Sequence, residues 1–391
     1  MIMGGASYAA LDLRSGLFDH KDDLTIDVFT QYIEKTVFVR LNIKYGLEII
    51  IGGHEDLKKI ASDYDLIHWF RTKSRKLFHS FHENSGTQER PPLILTHCQQ
   101  PSSFDLRLSP TELSLSNKLV FISKAGVNHR YHRFINPESK EMIYFGTGSI
   151  VPDFQKIIRS QQEVRLIRGS SLNKCPKDML NIFEKVGNDC VSFTIVGQGL
   201  QKSLKDEIKR LNLRKRVEVI GHLDRDDWMN HLKIADVYFY QLSSNSYSAI
   251  DATIQDAMLS KLPVVYYGPS APAELIIDGV TGYVARTKSE FIMKTKLLID
   301  NKDLRLRMGE ASRLRILRSF NHSQTVTKYM DLYKRTAHLP IQASNHRLRS
   351  VPRLELIDYW FSGLINYLNW KKKALLFYTK QFVQRAMVYC N

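Results

Sequence analysis

The sequence predicts an α/β protein made of two successive Rossmann-like halves, and three observations carry that reading. Short apolar runs alternate with amphipathic stretches through residues 1–150. The alternation restarts after Pro152. A segment with two prolines and no clear period, 336–353, then separates the second half from a basic, aromatic tail. Strand–helix alternation builds a parallel sheet, because each right-handed crossover returns the chain alongside the strand it left.

In the first half, LTIDVF (24–29), YDLIHW (64–69), PLILTH (92–97), KLVFIS (118–123) and EMIYFG (141–146) read as buried strands bounded by polar or turn residues. Helical spacing covers Tyr8–Phe18, with Ala9, Leu11, Leu13 and Leu17 among its apolar positions, and returns around Glu55–Ser62. The second half supplies VRLIRG (164–169), VSFTIVG (191–197), VEVIG (217–221), DVYFYQ (236–241) and PVVYYG (263–268). Helical segments such as Leu200–Leu211 and Asp226–Ile234 lie between them. This organisation places one domain over 1–152, a second over 153–338 and an extension over 339–391. Ligands of open α/β sheets bind beyond the carboxyl ends of the strands, so the chemistry is expected in the cleft between the facing halves.

Bulk composition narrows the class. The 391 residues are 43% hydrophobic and 25% charged, a globular balance that excludes disorder and collagen-like repeats. No stretch approaches the roughly 18 uncharged apolar residues of a membrane span. The opening MIMGGASYAALDL lacks the basic start and long apolar run of a signal peptide. Cys98, Cys175, Cys190 and Cys390 are widely spaced with no CxxC, which fits a reducing compartment and a cytoplasmic protein.

Charge singles out the tail. The formal net charge is +16, and from Lys334 onward ten basic residues face only Glu355 and Asp358. Within 354–373, Glu355, Asp358, Ser362, Asn366, Asn369 and Lys373 recur at three- and four-residue spacing, while Trp360, Phe361, Tyr367, Trp370 and their apolar neighbours cover the rest. That is an amphipathic helix with a narrow polar stripe. It suits packing on the body of the protein or on another protein, and equally an interfacial position on anionic lipid. Nucleic acid is the weakest candidate partner, since net charge alone favours it and no nucleic-acid motif is present.

The most specific stretch is 191–285. It contains the turn VGQG (196–199), then VEVIG, a helix ending in ADV (235–237), and SNSYSAIDATIQDAMLSKLPVVYYG leading into AELIIDGVTG (273–282). In order and spacing this resembles the C-terminal domain of retaining GT-B glycosyltransferases of family 4. The match runs over most of 160–335. The N-terminal half agrees more loosely, through GGAS (4–7), THCQQP (96–101), VFISKA (120–125) and YFGTG (144–148).

The resemblance implies a GT-B fold, a nucleotide-sugar donor, and a glycan or lipid-linked acceptor. It also implies transfer with retention of configuration and no divalent metal or other cofactor. Lys174 matches the cation that meets the donor phosphates, with Arg168 nearby as a second cation. Helix N-termini and cationic side chains can stabilise a departing diphosphate, and the relevant helix is expected to start near Ser246–Ser248. His97 matches the histidine that approaches the reacting centre. Asp256 matches the acid that hydrogen-bonds the ribose. Gly4 and Gly5 match the loop that lets the backbone pass close to substrate.

Several positions depart from the family pattern. The first acid of the acid–seven–acid motif is Ser248, the arginine after the loop glycine is Ser170, and the glycine before xPVV is Lys261. Asp251, expected in the first helical turn, stands where it could replace the lost acid. Only Met1–Met3 precede GGAS, so the first domain is expected to lack its central strand. These departures leave a second reading, a non-catalytic GT-B-like subunit of a glycan-assembly complex. The pairs His79/His82 and His129/His132 have helical spacing but no convincing third ligand, so a metal role is not assigned.

Overall fold

A computed structural model of the chain describes residues 13–17, 26–30, 49–51, 54–61, 63–71, 91–97, 108, 110–129, 132, 135–146, 157, 163–187, 189–199, 201–243, 246 and 250–339. Gly4, Gly5, Ser248, the His79/His82 pair, the expected missing first strand and the tail helix fall outside these residues.

The first half holds a parallel pair, β1 (Val28–Thr30) with β2 (Ile49–Ile51), then α1 (His54–Ala61) and a four-stranded sheet. That sheet is β3 (Ile67–Arg71), β4 (Leu93–His97), β5 (Lys118–Phe121) and β6 (Lys140–Met142), parallel and in sequence order. Helices α2 (Pro110–Leu115) and α3 (Lys124–Val127) flank β5. Every residue of β4 is buried, which explains why LILTH reads as a continuous apolar run and not as an alternation.

The second half is a six-stranded parallel sheet. In sequence it runs β7 (Val164–Gly169), α4 (Met179–Val186), β8 (Val191–Val196), α5 (Gln201–Arg210), β9 (Val217–Ile220), α6 (Arg225–Ile234) and β10 (Val237–Gln241). It continues with α7 (Ala252–Leu259), β11 (Val264–Tyr267), the short α8 (Ser270–Ala273), β12 (Gly282–Val284), α9 (Lys288–Asp300) and α10 (Lys302–Ser319). The spatial order β12-β11-β10-β7-β8-β9 reverses direction at β7 and β10, the switch point where ligands of such sheets bind.

Two cores cover the sheet faces. One joins α4, α5 and α9 through Leu180, Phe183, Leu204, Ile208 and Phe291. The other joins α6, α7 and α10 through Trp228, Leu232, Ile254, Met258 and Ile316. The last helix, α11 (His322–Ala337), packs its Val326, Tyr329, Met330 and Tyr333 with Ile94, Val120, Ile143 and Phe145 of the first half. Its sequence position is in the second domain, yet its apolar face completes the first.

Several elements differ from the sequence expectation, β2 (Ile49–Ile51) among them, which was not read as a strand. The strand read over 141–146 ends at Met142, and β12 was not anticipated because GYV is short and lies beside a glycine-rich turn. The helix expected near Ser246–Ser248 begins at Ala252. Asp251 is extended at φ −101, ψ 117, and its carboxylate accepts the Thr253 N–H at 3.2 Å. Asp251 is therefore the N-cap, not a residue of the first turn.

Candidate functional site

At the carboxyl ends of β7 and β10 the polar residues form a continuous network. It starts at Gly169, the last residue of β7. The Gly169 carbonyl accepts the Tyr238 hydroxyl and the Thr253 hydroxyl, each at 2.8 Å. Thr253 also donates to Asp251 at 2.8 Å, and Tyr240 donates to the other Asp251 oxygen at 2.6 Å. Strand β10 thus supplies two tyrosines from alternate positions on one face, and they fix the start of α7 from below.

Lys174 follows β7 in a single 3-10 turn, Leu172–Lys174. Its carbonyl accepts the Ser243 N–H at 3.0 Å, which ties the turn to the loop leaving β10. Burial alone would raise the Asp251 pKa, but the Lys174 charge and the hydrogen bonds from Tyr240 and Thr253 outweigh it and hold the carboxyl below its ordinary value. The Lys174 charge therefore acts on Asp251 at the switch point. A consequence is that the Thr253 amide, one of those expected to receive a phosphate, is occupied by the chain's own carboxylate.

The VGQG turn packs against the same loop. Gly197 and Gly199 have φ of +149 and +96, and a β-carbon on Gly197 would lie 2.0 Å from the Ser170 carbonyl oxygen. Only glycine allows both the backbone angle and that approach.

Asp256 lies one turn into α7 and is only 4% exposed. Its oxygens accept from Arg225 at 3.1 Å and from the Trp228 indole at 3.2 Å. It is thus buried and bonded to α6, not a helix-surface acid. Arg168, read as a second cation for the phosphates, is fully buried. Its guanidinium donates to the Cys175 sulfur and sits 5.3 Å from the centroid of the Tyr240 ring.

His97 ends β4 as expected, but it is only 1% exposed. Its ring stacks on Phe121 at 5.8 Å and meets His132 edge-on at 5.6 Å. His132 is held by the Gly126 carbonyl at 2.7 Å from Nδ1, and His129 lies 5.6 Å from it. Sequence reasoning paired His129 with His132 but did not place His97 beside them. The contact is made by the β4–β5 pairing, which brings His97 opposite Phe121. Among the described residues no group of three His, Cys, Asp or Glu side chains is arranged to hold a metal.

One residue that sequence reasoning missed bridges the two halves. Glu274, just after α8, accepts the Lys124 and Ala125 N–H groups of α3 at 2.8 and 2.7 Å. The Tyr144 hydroxyl donates to it at 2.9 Å. Arg315 of α10 anchors the Glu274 backbone carbonyl at 2.8 Å. Gln255 of α7 adds a second link by donating to the Phe145 carbonyl at 2.8 Å. The carboxyl ends of the two sheets therefore face each other and are latched.

Comparison with known proteins matches this architecture. Residues 161–315 match the family "Glycosyl transferases group 1". The fold is GT-B. An Anabaena protein, Alr3699/HepE, solved in complex with UDP and glucose, superposes with a TM-score of 0.68 at 18% identity, over 85% of this chain and 96% of that one. A glycosyltransferase from Rickettsia africae ESF-5 gives 0.66 at 14% identity, over 86% and 97%. A trehalose synthase from Thermococcus litoralis is 31% identical over 80 residues. That stretch is 20% of this chain, and the chain spans about a fifth (19%) of the synthase.

Proposed function

We propose that the chain transfers a sugar from a nucleotide-sugar donor to a glycan or lipid-linked acceptor, with retention of configuration and without a divalent metal. The observation that carries this reading is the network at the switch point of the second sheet, where Asp251 caps α7 under the influence of the Lys174 charge, within the stretch that matches the group 1 family. The UDP bound by the Anabaena neighbour favours a uridine nucleotide as donor.

In this mechanism Lys174 exchanges Asp251 for the diphosphate and stabilises the charge left when the sugar–phosphate bond breaks. The acceptor hydroxyl attacks from the face the phosphate leaves, and a phosphate oxygen takes its proton, so no protein nucleophile is required. Asp256 receives the ribose once Arg225, whose side chain is 40% exposed, moves aside. His97 acts at the reacting centre once it is released from its present burial. A cytoplasmic position, with the tail helix on an anionic membrane surface, fits a lipid-linked acceptor.

The alternative is a non-catalytic subunit of a glycan-assembly complex. Ser248 and Ser170 in place of charged residues, and the burial of His97, favour it. Thermal unfolding with UDP-, GDP- and ADP-sugars, followed by transfer assays, separates the two. Stabilisation with turnover supports the transferase, stabilisation without turnover supports the subunit, and no response to any nucleotide sugar contradicts both.

A further inference from the structure

The carboxyl ends of β7 and β10 bury a positive charge that the protein does not neutralise. Arg168 is fully buried, and its Nη1 donates to the Cys175 sulfur. Among the described residues its Nε and Nη2 have no hydrogen-bond partner. Its close neighbours are the Cys175 thiol and the Tyr238 and Tyr240 phenols. Burial raises both phenols above their ordinary range and raises the thiol too, although Arg168 opposes it there, so all three are neutral at pH 7. An unpaired buried guanidinium is among the costliest features a core can hold.

Two further side chains share the defect. Gln241 ends β10, directly after Tyr240, and is fully buried with neither its amide nitrogen nor its amide oxygen bonded. Ser246 is 4% exposed and its hydroxyl is also unbonded. The backbone draws these groups together. β7 and β10 pair in parallel, Ser243 donates to the Lys174 carbonyl, and Ser246 donates to Ser243 at 2.9 Å. Five polar atoms without a partner among the described residues thus belong to the carboxyl ends of β7 and β10 and to the loop that leaves β10. Buried polar groups are almost always satisfied, so the cluster implies a partner from outside the chain.

The unbonded edge identifies the partner. Nε and Nη2 are the parallel donor pair with which arginine grips a planar two-oxygen anion. Gln241 and Ser246 add donors and an acceptor suited to the hydroxyls around such an anion. Lys174 already serves the phosphates in the reading above. Resting on that donor-site reading, we infer that Arg168, Gln241 and Ser246 form a carboxylate pocket and that the transferred sugar is a uronic acid.

The test compares matched donors on the full chain. Affinities for UDP-glucose and UDP-glucuronate, and for GDP-mannose and GDP-mannuronate, are measured by calorimetry on wild type, Arg168→Met, Arg168→Lys and Gln241→Leu. The wild type is expected to favour the uronate of one pair by about tenfold or more, the worth of a charged hydrogen bond. Arg168→Met is expected to abolish that preference by weakening the uronate at least tenfold more than the neutral donor, and to raise the melting temperature of the free protein by removing an unpaired charge. Gln241→Leu should reduce the preference, and Arg168→Lys should restore only part of it.

Equal loss for neutral and acidic donors would make Arg168 a phosphate contact and overturn the inference while leaving the donor reading intact. A wild type without preference, or an Arg168→Met protein that melts lower or does not fold, would equally overturn it. A wild type that binds no nucleotide sugar at all would remove the donor reading as well.

Discussion

The Trp228 indole lies directly against Gly169, so close that a β-carbon on the glycine would sit 2.5 Å from the ring. The same indole donates to Asp256, and the Gly169 carbonyl receives Tyr238 and Thr253. One glycine therefore connects Asp256 on α7 to the hydroxyl network that fixes the Asp251 cap. Gly169→Ala is expected to displace Trp228 and cost about 1–3 kcal/mol of stability, the usual penalty of overpacking. Urea unfolding measures the loss, and nucleotide affinity should fall with it because Asp256 loses its indole donor.

Lys261, expected from the resemblance to be a glycine, holds a backbone conformation that favours glycine. Its φ is +57, the left-handed conformation that closes α7. An L-residue there costs about 1–2 kcal/mol. The Lys261–Glu310 ion pair at 2.6 Å returns only a little, because both side chains are partly exposed. Lys261→Gly should therefore stabilise the protein by about 0.5–1 kcal/mol, read as a higher urea midpoint at unchanged slope.

His68 predicts an acid-sensitive junction between the two halves. Its Nδ1 meets the Tyr333 hydroxyl at 2.6 Å and its Nε2 the Thr96 hydroxyl at 2.7 Å. Loss of solvation pushes its pKa down to about 3. Below pH 6.5 the unfolded chain takes up a proton that the folded chain refuses, so His68 lowers stability as the pH falls from 6.5 toward 3. Between pH 7 and 5 the loss due to this residue should be about 2 kcal/mol. It is measured as the difference in pH dependence between wild type and His68→Gln. An identical pH dependence in the two proteins would contradict it.

Glu274 latches the sheets through three acceptor contacts, two of them to the amides that open α3. Glu274→Ala leaves those amides and the Tyr144 hydroxyl without their acceptor and should cost about 1–3 kcal/mol. Tyr144→Phe removes one contact and should cost about 1 kcal/mol. Small-angle scattering would show the Glu274→Ala protein more open than wild type, since Glu274 links residues of opposite halves.

Much of this architecture was legible in the sequence. The runs VRLIRG and VYFYQ lie almost wholly buried in the six-stranded sheet, and VSFTIV keeps an alternation in which Ser192 and Thr194 are half-buried. Lys174 could be located because the turn after β7 is short and fixed by the VGQG glycines. What could not be read was long-range. His97 meets His132 only through strand pairing, Glu274 reaches 150 residues back to Lys124, and α11 completes the core of the other half. The start of α7 was misplaced because Ser246, Ser248 and Asp251 are all good caps in sequence, and Asp251 gains the tyrosine and lysine partners.

The most direct test of the central claim is nucleotide binding by wild type, Lys174→Ala and Asp251→Asn, measured by calorimetry with UDP. If Lys174 trades Asp251 for the diphosphate, Lys174→Ala should weaken UDP by about tenfold or more. Asp251→Asn, which keeps a capping side chain while removing the competing charge, should bind UDP more tightly than wild type. UDP binding that is unaffected by either substitution would contradict the account.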